Sequence, residues 1–172
     1  TVLYVQNELA PHNIEVGWWC APSLRSGSGA PFQYITDLSG DVSNLSLCPL
    51  DEQFVKDFGN KVATVAEISR PFMIQFEDDY ELSHQPPTVR FGCFCPKHLD
   101  EFAKRQQKYY SRKELLNIFK NVDPGSIKLR REWAELSRDS LVHLAGSIRE
   151  HIDSVSPETR VSLCQSGVCD LD

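Results

Sequence analysis

The sequence predicts an α/β fold in which short apolar strands alternate with amphipathic helices and run parallel. Two observations carry this. Strand-length apolar stretches at 13–23, 72–76 and 159–167 are separated by segments of helical periodicity. Those stretches are apolar on both faces, as buried parallel strands are. No internal repeat or low-complexity segment interrupts the alternation.

Each element follows from its own pattern. Residues 2–12, "VLYVQNELAPH", carry Val2, Val5 and Leu9 at helical spacing and break at Pro11, the end of an amphipathic helix. "NIEVGWWCAPS" is a short strand, and the Gly/Ser/Pro-rich stretch 24–50 reads as a long loop containing the turn "LSGD". Residues 51–68 place Phe54, Phe58, Val62 and Val65 on one helical face, and Pro71 ends that helix. The strand "FMIQF" stops at Glu77, Asp78 and Asp79, and a second long loop, 81–96, follows. "KHLDEFAKRQQKYY" turns Leu99 and Phe102 inward, and "SRKELLNIF" opens with Ser111 and Glu114 at capping-box spacing. The longest helix runs from Pro124 to Val155, with Leu129, Trp133, Leu136, Leu144, Ile148 and Ile152 recurring every three or four residues. "TRVSLCQSG" is the last strand.

Three parallel strands leave two open sheet edges, and the chain begins inside a helix. A complete (β/α)8 TIM barrel takes about 250 residues, against 172 here. The prediction is therefore a partial (β/α)8 TIM barrel, an interior fragment of a longer chain, with residues 1–172 forming one partial domain. A small doubly wound sheet is the alternative, but the glycine-rich phosphate turn it usually has is missing.

Composition bounds the partners. The chain is 41% hydrophobic and 24% charged, with a net charge of -6, which argues against nucleic acid because a phosphate backbone calls for a basic surface. No apolar run reaches the roughly 18 residues of a membrane span, and no signal peptide opens the chain. Six cysteines are too few for a disulfide scaffold. Cys93 and Cys95 are poorly spaced for a mutual disulfide and well spaced to share a metal, so a reducing, cytoplasmic compartment is expected.

The chemistry concentrates at strand ends, where a β/α barrel builds its active site. Alternation puts Glu77 and Asp79 on one face and Asp78 on the other. Two converging carboxylates suit glycoside hydrolysis, in which one protonates the leaving oxygen; they also suit a divalent cation, or simply a helix cap or an arginine pair. Trp18 and Trp19 offer an aromatic platform for a sugar ring, although strand aromatics are more often core and at least one of this alternating pair is expected there. Cys93, Cys95 and His98 form C-x-C-x-x-H, a set of sulfur and imidazole ligands that fits tetrahedral zinc. Cys48 is the best fourth ligand, since it ends the preceding long loop on the same side of the barrel. The plainer alternative is a group of reduced, buried cysteines without metal. Cys20, Cys164 and Cys169 read as packing residues, and His84, His143 and His151 receive no role.

The stretch "IQFEDDYE" resembles the acid/base strand of glycoside hydrolase family 42, the bacterial β-galactosidases, whose pattern reads W-Q-V-D-N-E-Y-G. Gln75 falls on Gln, Glu77 on Asp, Asp78 on Asn, Asp79 on the catalytic Glu and Tyr80 on Tyr. Some members carry zinc on a loop cysteine and a C-x-C-x-x-C cluster. Here "LSLCPLDEQF" supplies Cys48, 45 residues before Cys93, and "CFCPKH" supplies the cluster with His98 in the last place. The resemblance covers nearly the whole chain, as third to fifth barrel strands. It implies a retaining O-glycosyl hydrolase acting on a carbohydrate, with Asp79 as general acid/base supported by Glu77 and Asp78, and with Trp18, Trp19 and Tyr80 at the substrate. It also implies a structural zinc on Cys48, Cys93, Cys95 and His98, no cofactor for catalysis, and a homo-oligomer. The family's nucleophile falls beyond Asp172. Asp79 is one methylene shorter than Glu, setting its carboxyl about 1.5 Å further back. That departure fits the alternative, a catalytically inactive carbohydrate-binding or scaffold barrel that kept the zinc site. A metal-dependent enzyme using the acidic triplet as ligands ranks third.

Overall fold

The computed structural model describes residues 2–20, 29, 31–76, 80–82 and 92–164. Within them the chain forms helices α1 (Val2–Leu9), α2 (Glu52–Ser69), α3 (Pro96–Gln106), α4 (Arg112–Phe119) and α5 (Pro124–Asp153). Its strands are β1 (Trp18–Cys20), β2 (Tyr34–Thr36), β3 (Val42–Leu47), β4 (Met73–Phe76) and β5 (Arg160–Leu163). The chain divides into two compact units. One comprises Thr1–Ser23, Lys56–Tyr80 and Ala145–Asp172, and the other Leu24–Val55 and Glu81–Leu144.

The first unit holds a parallel sheet in the order β1-β4-β5. Trp18 pairs with Ile74 and Cys20 with Phe76; Ile74 pairs in turn with Val161 and Phe76 with Leu163. The strand ends are tied by backbone bonds from Phe72 N to Val16 O at 3.0 Å and from Arg160 N to Phe72 O at 3.1 Å. Burial in β4 alternates: Ile74 and Phe76 are fully enclosed while Met73 and Gln75 are half-buried, so the central strand is one-sided rather than apolar on both faces. The Phe76 ring packs against Phe58 of α2, centroids 6.4 Å apart. At Gly59 the backbone lies so close to α5 that a Cβ would stand 2.7 Å from the His151 ring, so this contact requires glycine. The His151 ring is itself held, its Nδ1 lying 2.7 Å from Ser147 O.

The second unit is built round an aromatic core. Phe94 stacks on Trp133 at 4.1 Å with the rings 7° from parallel, and Phe102 meets Trp133 edge-on at 4.7 Å. Leu38, Leu99, Leu115, Leu129 and Leu136 complete the cluster. Local signals set the helix starts. Ser111 Oγ accepts from Glu114 N at 3.3 Å and Ser111 N donates back to the Glu114 carboxylate at 2.8 Å, the expected capping box. Asp123 Oδ1 receives the amides of Gly125 and Ser126, both at 3.0 Å, ahead of α5.

Two expectations are corrected. The segment 24–50, read as a loop, contains the antiparallel pair β2–β3, with Tyr34 opposite Leu47 and Thr36 opposite Val42. Its burial runs against hydropathy: Val42 is 54% exposed while Ser43 is only 7% exposed. The buried hydroxyl is satisfied locally, accepting from Ser46 N at 2.8 Å. The partial (β/α)8 barrel is also overturned. Strand–helix alternation dictates parallel pairing, and that pairing is present, but closure takes eight parallel strands. The described residues form a small α/β fold with a three-stranded parallel sheet and a separate two-stranded antiparallel one.

Candidate metal centre

Four side chains from three stretches of chain meet inside the second unit. Cys48 follows β3 directly, and its amide is anchored to Gln33 O at 2.8 Å. Cys93 and Cys95 flank Phe94, whose amide bonds Thr36 O at 2.5 Å. Phe94 is committed to the aromatic core, so in an extended segment its neighbours on either side share the opposite face. Gly92 makes the approach possible with a φ of 89°, a conformation other residues adopt only under strain. Cys95 then serves as the N-cap of α3, with Pro96 in its first turn. That first turn brings His98 back beside Cys95.

The ligand atoms of Cys48, Cys93, Cys95 and His98 lie within 4.8 Å of one another, and all four residues are buried. Cys48 Sγ stands 3.3 Å from His98 Nδ1 and 3.5 Å from Cys95 Sγ, and Cys95 Sγ stands 3.6 Å from His98 Nδ1. Tetrahedral coordination with Zn–S near 2.3 Å and Zn–N near 2.0 Å sets ligand atoms about 3.5 Å apart for S···N and about 3.8 Å for S···S. The three distances among Cys48, Cys95 and His98 lie close to those spacings, and Cys93 Sγ stands within 4.8 Å of the other ligand atoms. The Leu50 amide points at Cys48 Sγ from 3.4 Å, a donor suited to a thiolate.

The charges favour a cation as well. Burial pushes the Cys48 and Cys93 thiols far above their usual range. Cys95 is drawn well below it by hydrogen bonds from Cys48 and Cys93. Metal ligation takes the deprotonated thiolates, so a bound dication would displace thiol protons and offset two of the three sulfur charges. Ile35, Leu50 and Leu82 wall the cluster with apolar surface, so the arrangement can bind a metal, and among the described residues it offers that metal no open position for substrate.

The strand-end residues are less assembled. Trp19 is 60% exposed, paired with Gln75, while Trp18 and Tyr80 are half-buried. Tyr80 packs its ring at 6.1 Å from Phe76, and burial pushes its hydroxyl pKa up. Glu77, Asp78 and Asp79, together with His84 and Cys169, lie outside the described residues. His143 sits 3.4 Å from Glu52 on the surface, and Cys20 is buried. The residue that sequence reasoning missed is Ser140, buried against the His98 ring. Its signal is a lone hydroxyl on the apolar stripe between Leu136 and Leu144.

Comparison with models of known protein families finds no match, and comparison with curated protein sequences finds none either. No helix among the described residues is long and apolar enough to cross a membrane.

Proposed function

We propose that this chain is part of a glycoside hydrolase carrying a structural zinc, with Asp79 as general acid/base. The observation that carries the reading is the buried Cys48–Cys93–Cys95–His98 tetrad. Those four residues are the ones the resemblance to family 42 singles out, and one of them lies 45 positions from the next. Zinc suits the donors, since three thiolates and an imidazole are borderline-soft and tetrahedral. A closed, desolvated site gives the metal a structural role: it would pin Cys48 to the start of α3. Catalysis is placed at the carboxyl end of the parallel sheet, where open α/β sheets bind their ligands. Phe76, the last residue of the central strand, immediately precedes the acidic triplet in sequence. The reading rests on that strand-end chemistry and on the metal ligands.

Asp79 would protonate the leaving glycosidic oxygen, which requires its carboxyl to be neutral before the bond breaks. Adjacent carboxylates favour that state, because like charges disfavour a further ionisation. Trp19 offers an exposed ring face for the sugar.

The test is one experiment on the full-length protein. Zinc is measured by elemental analysis, and turnover of chromogenic glycosides is compared for the wild type and Asp79→Asn. About one zinc per chain and a loss of roughly 10²–10⁴ in turnover, with the melting temperature kept, are expected. Equal turnover by the variant would exclude Asp79 as the acid. The second reading, a binding module without hydrolysis, is favoured by the exposed Trp19 and the short acid. Under it, sugars would quench Trp19 fluorescence while no glycoside is cleaved.

A further inference from the structure

We infer that Ser140 of α5 is the positioning residue that fixes His98 as an Nδ1 metal ligand. The inference rests on the metal reading above and extends it to a residue outside the tetrad. His98 and Ser140 are both buried, at 0% and 1% exposure. His98 Nε2 lies 3.3 Å from Ser140 Oγ. Ser140 Oγ also donates to Ser137 O, one turn earlier on the helix, at 2.7 Å.

A serine hydroxyl has one proton to give and two lone pairs to receive with. Here the proton is committed to a helix carbonyl that is a strong acceptor at short distance. Toward His98, Oγ therefore presents a lone pair, and the hydrogen bond forms only if Nε2 carries the ring proton. A neutral imidazole protonated on Nε2 has its free electron pair on Nδ1. Nδ1 is the atom 3.3 Å from Cys48 Sγ and 3.6 Å from Cys95 Sγ. The chain from carbonyl to hydroxyl to imidazole thus sets the tautomer that metal binding requires, and it also fixes the angle of the ring. The opposite tautomer would aim an N–H at the sulfurs and leave Nε2 without a donor in a buried site.

The test uses the full-length protein labelled with ¹⁵N-histidine, as wild type, Ser140→Ala and Ser140→Thr. Zinc affinity is measured by chelator competition, and long-range ¹H–¹⁵N spectra assign the His98 nitrogens with and without zinc. The wild type is expected to show a protonated Nε2 in both states, with Nδ1 shifting on zinc addition. Ser140→Ala is expected to bind zinc about 10–100-fold more weakly and to expose the Nε2 proton to faster solvent exchange. Ser140→Thr, which keeps the hydroxyl, is expected to restore both. Wild-type protein that loads zinc while Ser140→Ala matches its affinity overturns the inference alone. So does a His98 protonated at Nδ1, or a Thr variant with native circular dichroism that binds as weakly as Ala. A wild type that takes up no zinc overturns the metal reading and the inference with it.

Discussion

The cysteine–histidine cluster and the carboxyl end of the parallel sheet are built on opposite terms. In the cluster every ligand is buried and the backbone on both sides is spent on holding it: Phe94 in the aromatic core, Gly92 at a positive φ that suits only glycine, Cys95 at the N-cap of a helix. At the sheet end the aromatic residue nearest the surface, Trp19, is 60% exposed, and Tyr80 is held by a ring contact to Phe76. Convergent burial is what a structural ion needs, because desolvated thiolates are stable only beside a cation. A sugar site needs the reverse, an accessible aromatic face beside polar groups. The two regions therefore differ in what should break them.

If the cluster holds the proposed metal, stripping it should have the largest effect, and a local one. Exhaustive chelation is expected to lower hydrogen-exchange protection of β3 and the first turn of α3 by about 100-fold or more, while β4 keeps its protection. Equal loss in both places, measured by exchange mass spectrometry, would mean that the cluster does not stabilise its own region selectively.

Gly92→Ala comes next. A side chain at φ 89° imposes strain of roughly 1–3 kcal/mol, with the added Cβ 3.6 Å from Leu82 and 3.7 Å from Ser137 Oγ, ordinary contact distances. The cost is therefore conformational. It should appear as a lower urea midpoint and weaker zinc retention together. A drop in stability with zinc affinity unchanged would separate the turn from the ligands it delivers.

Ser111→Ala should be smallest, about 1 kcal/mol for a lost N-cap, and should leave zinc content untouched. Its pH dependence has a definite sign. Hydrogen bonds from the Ser111 side chain and backbone hold the Glu114 carboxyl below its usual range. A depressed folded-state pKa contributes stability above the unfolded value and loses it as pH falls through the folded one. The gap between wild type and Ser111→Ala, followed by urea denaturation, should therefore narrow on acidification. A gap that widens toward low pH would contradict the reciprocal cap.

Much of this was legible because the signals are local. The spacing of apolar residues in 51–68 and 124–155 gave α2 and α5 to within two residues at each end. Ser111 and Glu114 carried their own cap. Three of the ligands could be read since C-x-C alternation and a histidine in the next helical turn converge by backbone geometry alone, whereas Cys48 was chosen for its place at the end of the preceding loop. The hairpin β2–β3 was not legible: buried Ser43 and Ser46 and exposed Val42 and Leu45 invert the hydrophobic alternation on which strand reading depends. Trp133 likewise reads as a helix-stripe residue, and nothing in the stripe foretells its stacking on Phe94, 39 positions earlier in the chain.

The sequence by itself determined where the main helices lie, that the apolar strands pair in parallel, and that Cys93, Cys95 and His98 belong together, because each follows from a period or a spacing of a few residues. The tertiary structure alone decided that the described residues hold a three-stranded parallel sheet rather than a barrel and that 24–50 contains a hairpin. It also decided that one hydroxyl on α5 faces the His98 ring. Those outcomes depend on which surfaces exclude water from one another, and that is a property of segments far apart in the chain.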